Sequence, residues 1–273
     1  AKTRFRTGPL RLSITPRYPA EPQFYTEVEV MGIRKKITEN HNYTFSIYGL
    51  YLIVFTIVQF TFAFLNKNKV KKEFVDNGND KKCNILVVGY KEKKEYFKNC
   101  LKSIKDNYFN NNIINKIIVV IDGNENDDSY MIDIFNNVFG DNLNITLDEY
   151  DKNDFKQNYL DNYSEKKAIC ISQKHEGKRS ALFTGFSISL LEKEMMNGNL
   201  EFIYCTDSDT TIKNGSVENM VSLFDNDNVG AVAGNLSIFN KYDSFISFLS
   251  NIRYWFSFNI ERAYQSFTGE VLC

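Results

Sequence analysis

Histidine is almost missing from this sequence: only His41 and His175 occur in 273 residues. A Ser/His/Asp or Cys/His nucleophile system therefore has few places to form. The five cysteines (Cys83, Cys100, Cys170, Cys205, Cys273) are widely scattered and contain no CxxC pair. That spacing speaks against a zinc site and against a disulfide framework, and it suits a reducing compartment. An excess of charge is lacking too. With a formal net charge of −1, nothing in the balance points to nucleic acid as a partner. Proline is missing after Pro22. Pro9, Pro16, Pro19 and Pro22 all precede Met31, as do Arg4, Arg6, Arg11 and Arg17, half of the arginines. Residues 1–30 therefore read as a foreign or mistranslated leader, or equally as a disordered Pro-rich tail, and stay outside the fold argument.

Charge is absent altogether between Asn40 and Asn66. The heart of that stretch, Thr44–Leu65, would span roughly 33 Å as a helix, enough for a bilayer core of about 30 Å. A secretory signal peptide would have a shorter apolar run and a small-residue cleavage site. A buried core helix is the other alternative, but the run is too long and too uniformly apolar for it. Tyr43, Tyr48 and Tyr51 suit a headgroup boundary. Lys67, Lys69, Lys71 and Lys72 predict that the chain after the helix is cytoplasmic, although Arg34, Lys35 and Lys36 flank the other end.

Beyond a polar linker the chain is long enough for a large α/β domain with a real core. Strands are predicted at Asn84–Val88, Lys116–Ile121, Ala168–Ser172 and Phe202–Cys205, with a last one at Val229–Ala233. Helices are predicted at Glu95–Lys105, Ser129–Phe139, Ser180–Met196 and from an Asn214 cap through Leu223. Asp141–Lys166 resists organisation. This alternation implies a doubly wound, mostly parallel sheet with helices on both faces. Ligands of such sheets bind at the carboxyl ends of the strands. Here three strand ends carry Tyr90/Glu92, Asp122 and Asp207/Asp209.

Taken alone, Asp207-Ser208-Asp209 is an ordinary acidic turn. Its alternative role is to hold a hard divalent cation, which takes one or two carboxylates and completes its shell with substrate phosphates. Its position after a strand, with the other strand ends similarly equipped, favours the second role. His175-Glu176-Gly177-Lys178-Arg179 is a basic, glycine-containing turn fit to meet a diphosphate. It is neither a P-loop nor a zinc-protease motif. Asp122–Asp128 fits a calcium loop badly, since Asp127 stands where glycine is needed and Asp133 where glutamate is. Tyr242–Phe267 predicts a long helix, aromatic nearly all round, that must be covered by protein or lie against lipid.

Several of these segments carry a family resemblance. GYKE at 89–92, VIDGNENDD at 120–128, QKHEGKR at 173–179 and DSDT at 207–210 resemble the processive family-2 glycosyltransferases. Residues 240–273 resemble the hyaluronan synthases most closely. Glu261, Arg262, Gln265 and Ser266 form an E-R-x-x-Q-S core shared with chitin and chitin-oligosaccharide synthases.

The resemblance implies a GT-A-like domain preceded by one transmembrane helix, and inverting hexosyl transfer from UDP-sugars with Mg²⁺ or Mn²⁺. Tyr90 and Glu92 would line the uracil pocket, and Asp122 would contact base or ribose. Lys178 and Arg179 would sit near the diphosphate, Asp207 would shape the donor site, and Asp209 would ligate the metal. Arg253, Glu261, Arg262, Gln265 and Cys273 would face the acceptor. The implied partners are UDP-GlcNAc and UDP-glucuronate, the growing polysaccharide and the lipid bilayer of the plasma membrane, with no nucleic acid. Chitin synthesis, or a non-catalytic UDP-binding module, is the alternative. The expected divisions are a leader and pre-membrane segment (1–43), membrane helix (44–65), basic linker (66–82), nucleotide-sugar domain (83–240) and the start of an acceptor-side helical region (241–273). The family's catalytic base is expected beyond Cys273, which makes the chain an expected fragment, inactive as it stands.

Overall fold

Strands buried on both faces need apolar residues at nearly every position, and two stretches of this chain supply them. The computed structural model describes residues 27–73, 81–123, 129–140, 144–147, 159, 161–162, 165–195, 200–225 and 229–269. Its centre is a five-stranded sheet built from β1 (Lys82–Gly89), β2 (Ile114–Asp122), β3 (Asn144–Leu147), β4 (Ala168–Gln173) and β5 (Leu200–Asp207). The strand order is β3-β4-β2-β1-β5, and every pairing is parallel. The doubly wound α/β architecture expected from the sequence is what forms.

Alternation along the strands divides the core in two. Ile85, Val87, Ile117, Val119 and Ile121 point to one face, where α2 (Lys94–Tyr108) and α3 (Ser129–Phe139) cover them with Phe97, Leu101, Ile104, Met131 and Phe135. Leu86, Val88, Ile118, Val120 and Ile171 point to the other face, under Ala181 and Ile188 of α4 (Lys178–Met195). Apolar spacing on α2 places Phe97, Cys100, Leu101, Ile104 and Tyr108 on one buried stripe.

The starts of the strands hold a buried polar cluster. Lys116 Nζ lies 2.6 Å from Glu192 Oε1, and the two side chains are 2% and 4% exposed. The Tyr159 hydroxyl is 2.9 Å from Lys116 Nζ and donates to the same Glu192 oxygen. Asn115 Nδ2 donates to Glu192 Oε2 at 3.2 Å and to Asn84 Oδ1 at 3.0 Å. Asn84 Oδ1 also accepts from the Lys116 backbone N–H at 3.1 Å, where the β1–β2 register slips between Cys83 and Ile85. A side-chain carboxamide thus satisfies the backbone group that the irregularity leaves over. Burial pushes the Lys116 ammonium down from its ordinary range, against the pull of Glu192.

Three local differences from the sequence expectations have physical causes. Val229–Ala233 forms no strand and belongs to no ladder, so the sheet ends at β5. β3 arises inside the stretch that resisted organisation, as a four-residue edge strand too short to show an alternation. The helix after Asn214 is the short α5 (Ser216–Val221), preceded by Gly215 in the left-handed region at φ 76° and by no side-chain cap.

The chain divides into two units, Ala1–Val58 and Gln59–Cys273. The described part of the first is helix, belonging to α1 (Glu27–Glu73), with exposed Phe45, Ile47, Leu50 and Ile53. Within α1, Tyr43–Val70 is long and apolar enough to cross a membrane. In the second unit, α6 (Phe245–Phe256) starts at a capping box: Ser244 Oγ accepts from Ser247 N at 3.1 Å, and Ser244 N donates to Ser247 Oγ at 3.0 Å. The run continues through a π-turn, Ser257–Glu261, into α7 (Arg262–Thr268). Residues 1–26, including the Pro/Arg leader, lie outside the described residues.

Candidate nucleotide-sugar site

Parallel register brings the carboxyl ends of the middle strands level. Val88 pairs with Asp207, Gly89 with Ile121 and Asp122 with Gln173. A cleft of about 300 Å³ opens there, lined by Tyr90, Glu92, Asp122, His175, Lys178, Asp207 and Asp209, with Val88, Gly89 and Ser208 as its floor. Glycine at 89 is what allows the floor to close. A Cβ there would lie 2.8 Å from both Cβ and Oγ of Ser208 and 2.9 Å from Met131 Cε.

Asp122 organises one wall. It is buried, and its Oδ1 accepts from Gln173 Nε2 and Glu176 N, each at 3.1 Å. Its Oδ2 accepts from Gly177 N and faces His175 Nδ1, each at 2.8 Å. The carboxylate thus holds residues 173–177 as one preformed turn. Gly177, at φ +98°, supplies the left-handed step that turn needs. The resemblance implies that Asp122 contacts base or ribose; in the structure its oxygens also serve the turn.

His175, which the sequence places in a basic turn without a role of its own, stacks on Tyr90 with ring centroids 4.0 Å apart and planes 12° from parallel. This joins the end of β1 to the β4–α4 turn across the cleft. Gln173, likewise unassigned, links Asp122 to the start of α4 through Ser180 Oγ at 3.2 Å and Thr184 Oγ1 at 2.7 Å. Both lie in the QKHEGKR segment, but its spacing does not reveal the Tyr90 stack or the link to Asp122.

The opposite wall is acidic. Asp207 ends β5 and Asp209 follows in the turn, both exposed. Burial pushes the Glu92 carboxyl up from its ordinary 4.5, and the negative charges of Asp209 and Asp207 push it further. Lys178 Nζ pairs with Asp207 Oδ1. Among the described residues no group of three or more His, Cys, Asp or Glu could hold a metal by itself. The donor set instead fits a hard cation bound by one or two carboxylates and completed by phosphate oxygens.

Cys83, Cys100, Cys170 and Cys205 do not line the cleft. Burial pushes the Cys83 and Cys100 thiols up to about 12 and Cys205 to about 11. Arg179 is exposed beside Lys178 on the first turn of α4. Arg253, Glu261, Arg262 and Gln265 lie along the 245–268 helical run, and none of them lines the cleft. The Arg262 guanidinium sits 4.2 Å over the Phe258 ring. Cys273 lies outside the described residues, as do residues 124–128 of the acidic loop.

Known proteins resemble this chain over most of its length. A family model described as chitin synthase matches residues 190–273. Hyaluronan synthase 2 of Rattus norvegicus is 35% identical over 263 residues, covering 91% of this chain and 46% of that protein. The Homo sapiens hyaluronan synthase 2 gives the same identity and coverage over 264 residues. Hyaluronan synthase 3 of Mus musculus is 31% identical over 264 residues, covering 89% of this chain and 46% of its own length. The chain spans about half the length of these relatives. By these comparisons the chain is similar to hyaluronan synthases over most of its length and to the chitin synthase family over residues 190–273.

Proposed function

We propose that residues 83–240 bind the UDP-sugar donor of a membrane polysaccharide synthase, with hyaluronan as the product. The observation that carries this reading is the convergence, in one cleft at the strand ends, of a stacked aromatic pair, a lysine and the Asp207/Asp209 carboxylates. Tyr90, backed by His175, offers the uracil an aromatic surface, and Glu92 lies beside it. Asp122 keeps the 173–177 turn in place. Lys178 and Arg179 reach the diphosphate from the start of α4. Asp209 would hold Mg²⁺ or Mn²⁺ at the phosphates, and Asp207 would shape the same side of the donor.

The reaction is an inverting displacement. An acceptor hydroxyl attacks the anomeric carbon and gives its proton to a general base that is not among the cleft residues, the bond to the UDP oxygen breaks, and the diphosphate leaves with its electron pair. The bound cation supplies charge neutralisation on that leaving group. Lys178 and Arg179 add hydrogen bonds that strengthen as the charge grows. Arg253, Glu261, Arg262, Gln265 and Cys273 form the acceptor side in this reading. Tyr43–Val70 anchors the chain in the plasma membrane, and the lysines from Lys67 onward favour a cytoplasmic donor domain. UDP-sugars, the growing polysaccharide and the bilayer are the partners.

The match of residues 190–273 to chitin synthase favours chitin as a second product reading. Calorimetry of the purified chain with UDP, with and without Mn²⁺, tests the donor site; cation-dependent UDP binding that ADP does not reproduce is expected. Indifference to both cation and base would remove the proposal. Binding UDP-glucuronate as well as UDP-GlcNAc supports hyaluronan, whereas UDP-GlcNAc alone supports chitin.

A further inference from the structure

Three carboxylates, Glu92, Asp207 and Asp209, meet at the acidic wall, and Lys178 pairs with one of them. Lys178 Nζ pairs with Asp207 Oδ1, while the hydrogen bond of the Asp209 carboxylate is to its neighbour Thr210 Oγ1 at 3.3 Å. The backbone beneath Lys178 is fixed, because Asp122 holds the Glu176 and Gly177 N–H groups at 3.1 and 2.8 Å. The ion pair itself is solvated: its side chains are 60% and 59% exposed. An anchored base carrying a solvated, flexible side chain is suited to exchanging partners without rebuilding the turn.

We propose that Lys178 is an exchangeable counter-ion. It neutralises Asp207 until a diphosphate takes its ammonium, and so couples donor binding to divalent-cation binding through one side chain. The inference rests on the reading of Asp207 and Asp209 as the cation side of the donor site. An ammonium in contact with Asp207 opposes a second cation at the same oxygens. A diphosphate offers that ammonium several acceptor oxygens, and drawing it away frees the carboxylate. Linkage then requires UDP to tighten the cation by the same factor by which the cation tightens UDP.

The test measures Mn²⁺ binding to the purified full chain, by the electron-spin signal of free Mn²⁺, with and without UDP. In Lys178→Met, Mn²⁺ alone should bind roughly threefold tighter, the scale of an exposed ion pair. UDP at saturating Mn²⁺ should bind about tenfold weaker, the scale of a lost charge-assisted hydrogen bond. The coupling factor should shrink accordingly. Lys174→Met removes a charge from the same turn and should leave the affinity for Mn²⁺ alone unchanged. If Lys178→Met leaves that affinity unchanged or weaker, or Lys174→Met raises it equally, the exchange does not occur, even where UDP still needs Mn²⁺. A parent chain that binds no Mn²⁺ with UDP present overturns the metal reading and the exchange together.

Discussion

The two ends of the central sheet use the same residue types to opposite effect. At the strand starts, Lys116 and Glu192 are sealed from water, share Tyr159, and are packed between α4 and the sheet. At the strand ends, Lys178 and Asp207 make a pair of the same chemistry that remains more than half exposed. A buried pair is costly to break because the surviving charge has no solvent to return to. An exposed pair contributes little to stability and can be broken and remade. Burial, not residue identity, separates the cluster that holds the fold from the cluster available to a ligand.

That contrast can be broken first at the buried end. Lys116→Met should cost about 3–5 kcal/mol in denaturant unfolding, since it strands the Glu192 carboxylate. Adding Glu192→Leu should recover most of the loss. A single-variant cost near zero would erase the distinction between the two ends. Asp122 sharpens it, being a buried charge at the ligand end. Asp122→Asn should cost about 2–3 kcal/mol of stability, the scale of hydrogen bonds to a charged group. It should also weaken UDP binding, because the 173–177 turn loses its anchor.

At the exposed end the expected effects move from folding to binding. Asp209→Asn should leave the unfolding midpoint within about 0.5 kcal/mol of the parent. It should weaken Mn²⁺-dependent UDP binding by at least the roughly 1.5–3 kcal/mol of a charged contact. Titration calorimetry beside thermal melting checks both halves. The smallest effect belongs to Glu92. Its carboxyl is raised above 4.5 in the fold, so the native state holds its proton more tightly than the unfolded chain does. Stability therefore falls as pH rises from about 4.5 through the folded value. Glu92→Gln should raise the melting temperature slightly at pH 7 and leave it unchanged below that window. A melting shift that is independent of pH would refute this origin.

Much of the sheet was legible because its strands carry strong local signals. Ile117–Ile121 is a continuous apolar run, and the helix expected at Ser129–Phe139 forms with those bounds. The Asp207/Asp209 motif could be read because a polar pair directly after an apolar strand is a local feature. The His175–Tyr90 stack could not, since its partners are 85 positions apart and only the parallel register brings them together. Nor could the double commitment of Asp122, whose partners come from a turn two strands later in the chain. The Lys116–Glu192 pair was equally hidden: each residue sits in a segment whose apolar pattern predicts its element, and neither announces that it is buried.

The π-turn at Ser257–Glu261 has a further consequence for anyone altering the C-terminal helical run. It accommodates one residue more than an α-helical turn would, so the run enters α7 one residue out of step with a uniform α-helix. Each residue of an α-helix advances about 100° around the axis. Deleting Asn259 would let the run relax to uniform α-helix and would leave Arg262 and Gln265 at nearly their present angle to Arg253, whereas tightening the turn to α-helix without a deletion would rotate them by about that angle. In this segment the angular position of a side chain depends on the width of the turn before it as well as on the residue count, and a point substitution and a one-residue deletion test different properties of the same face.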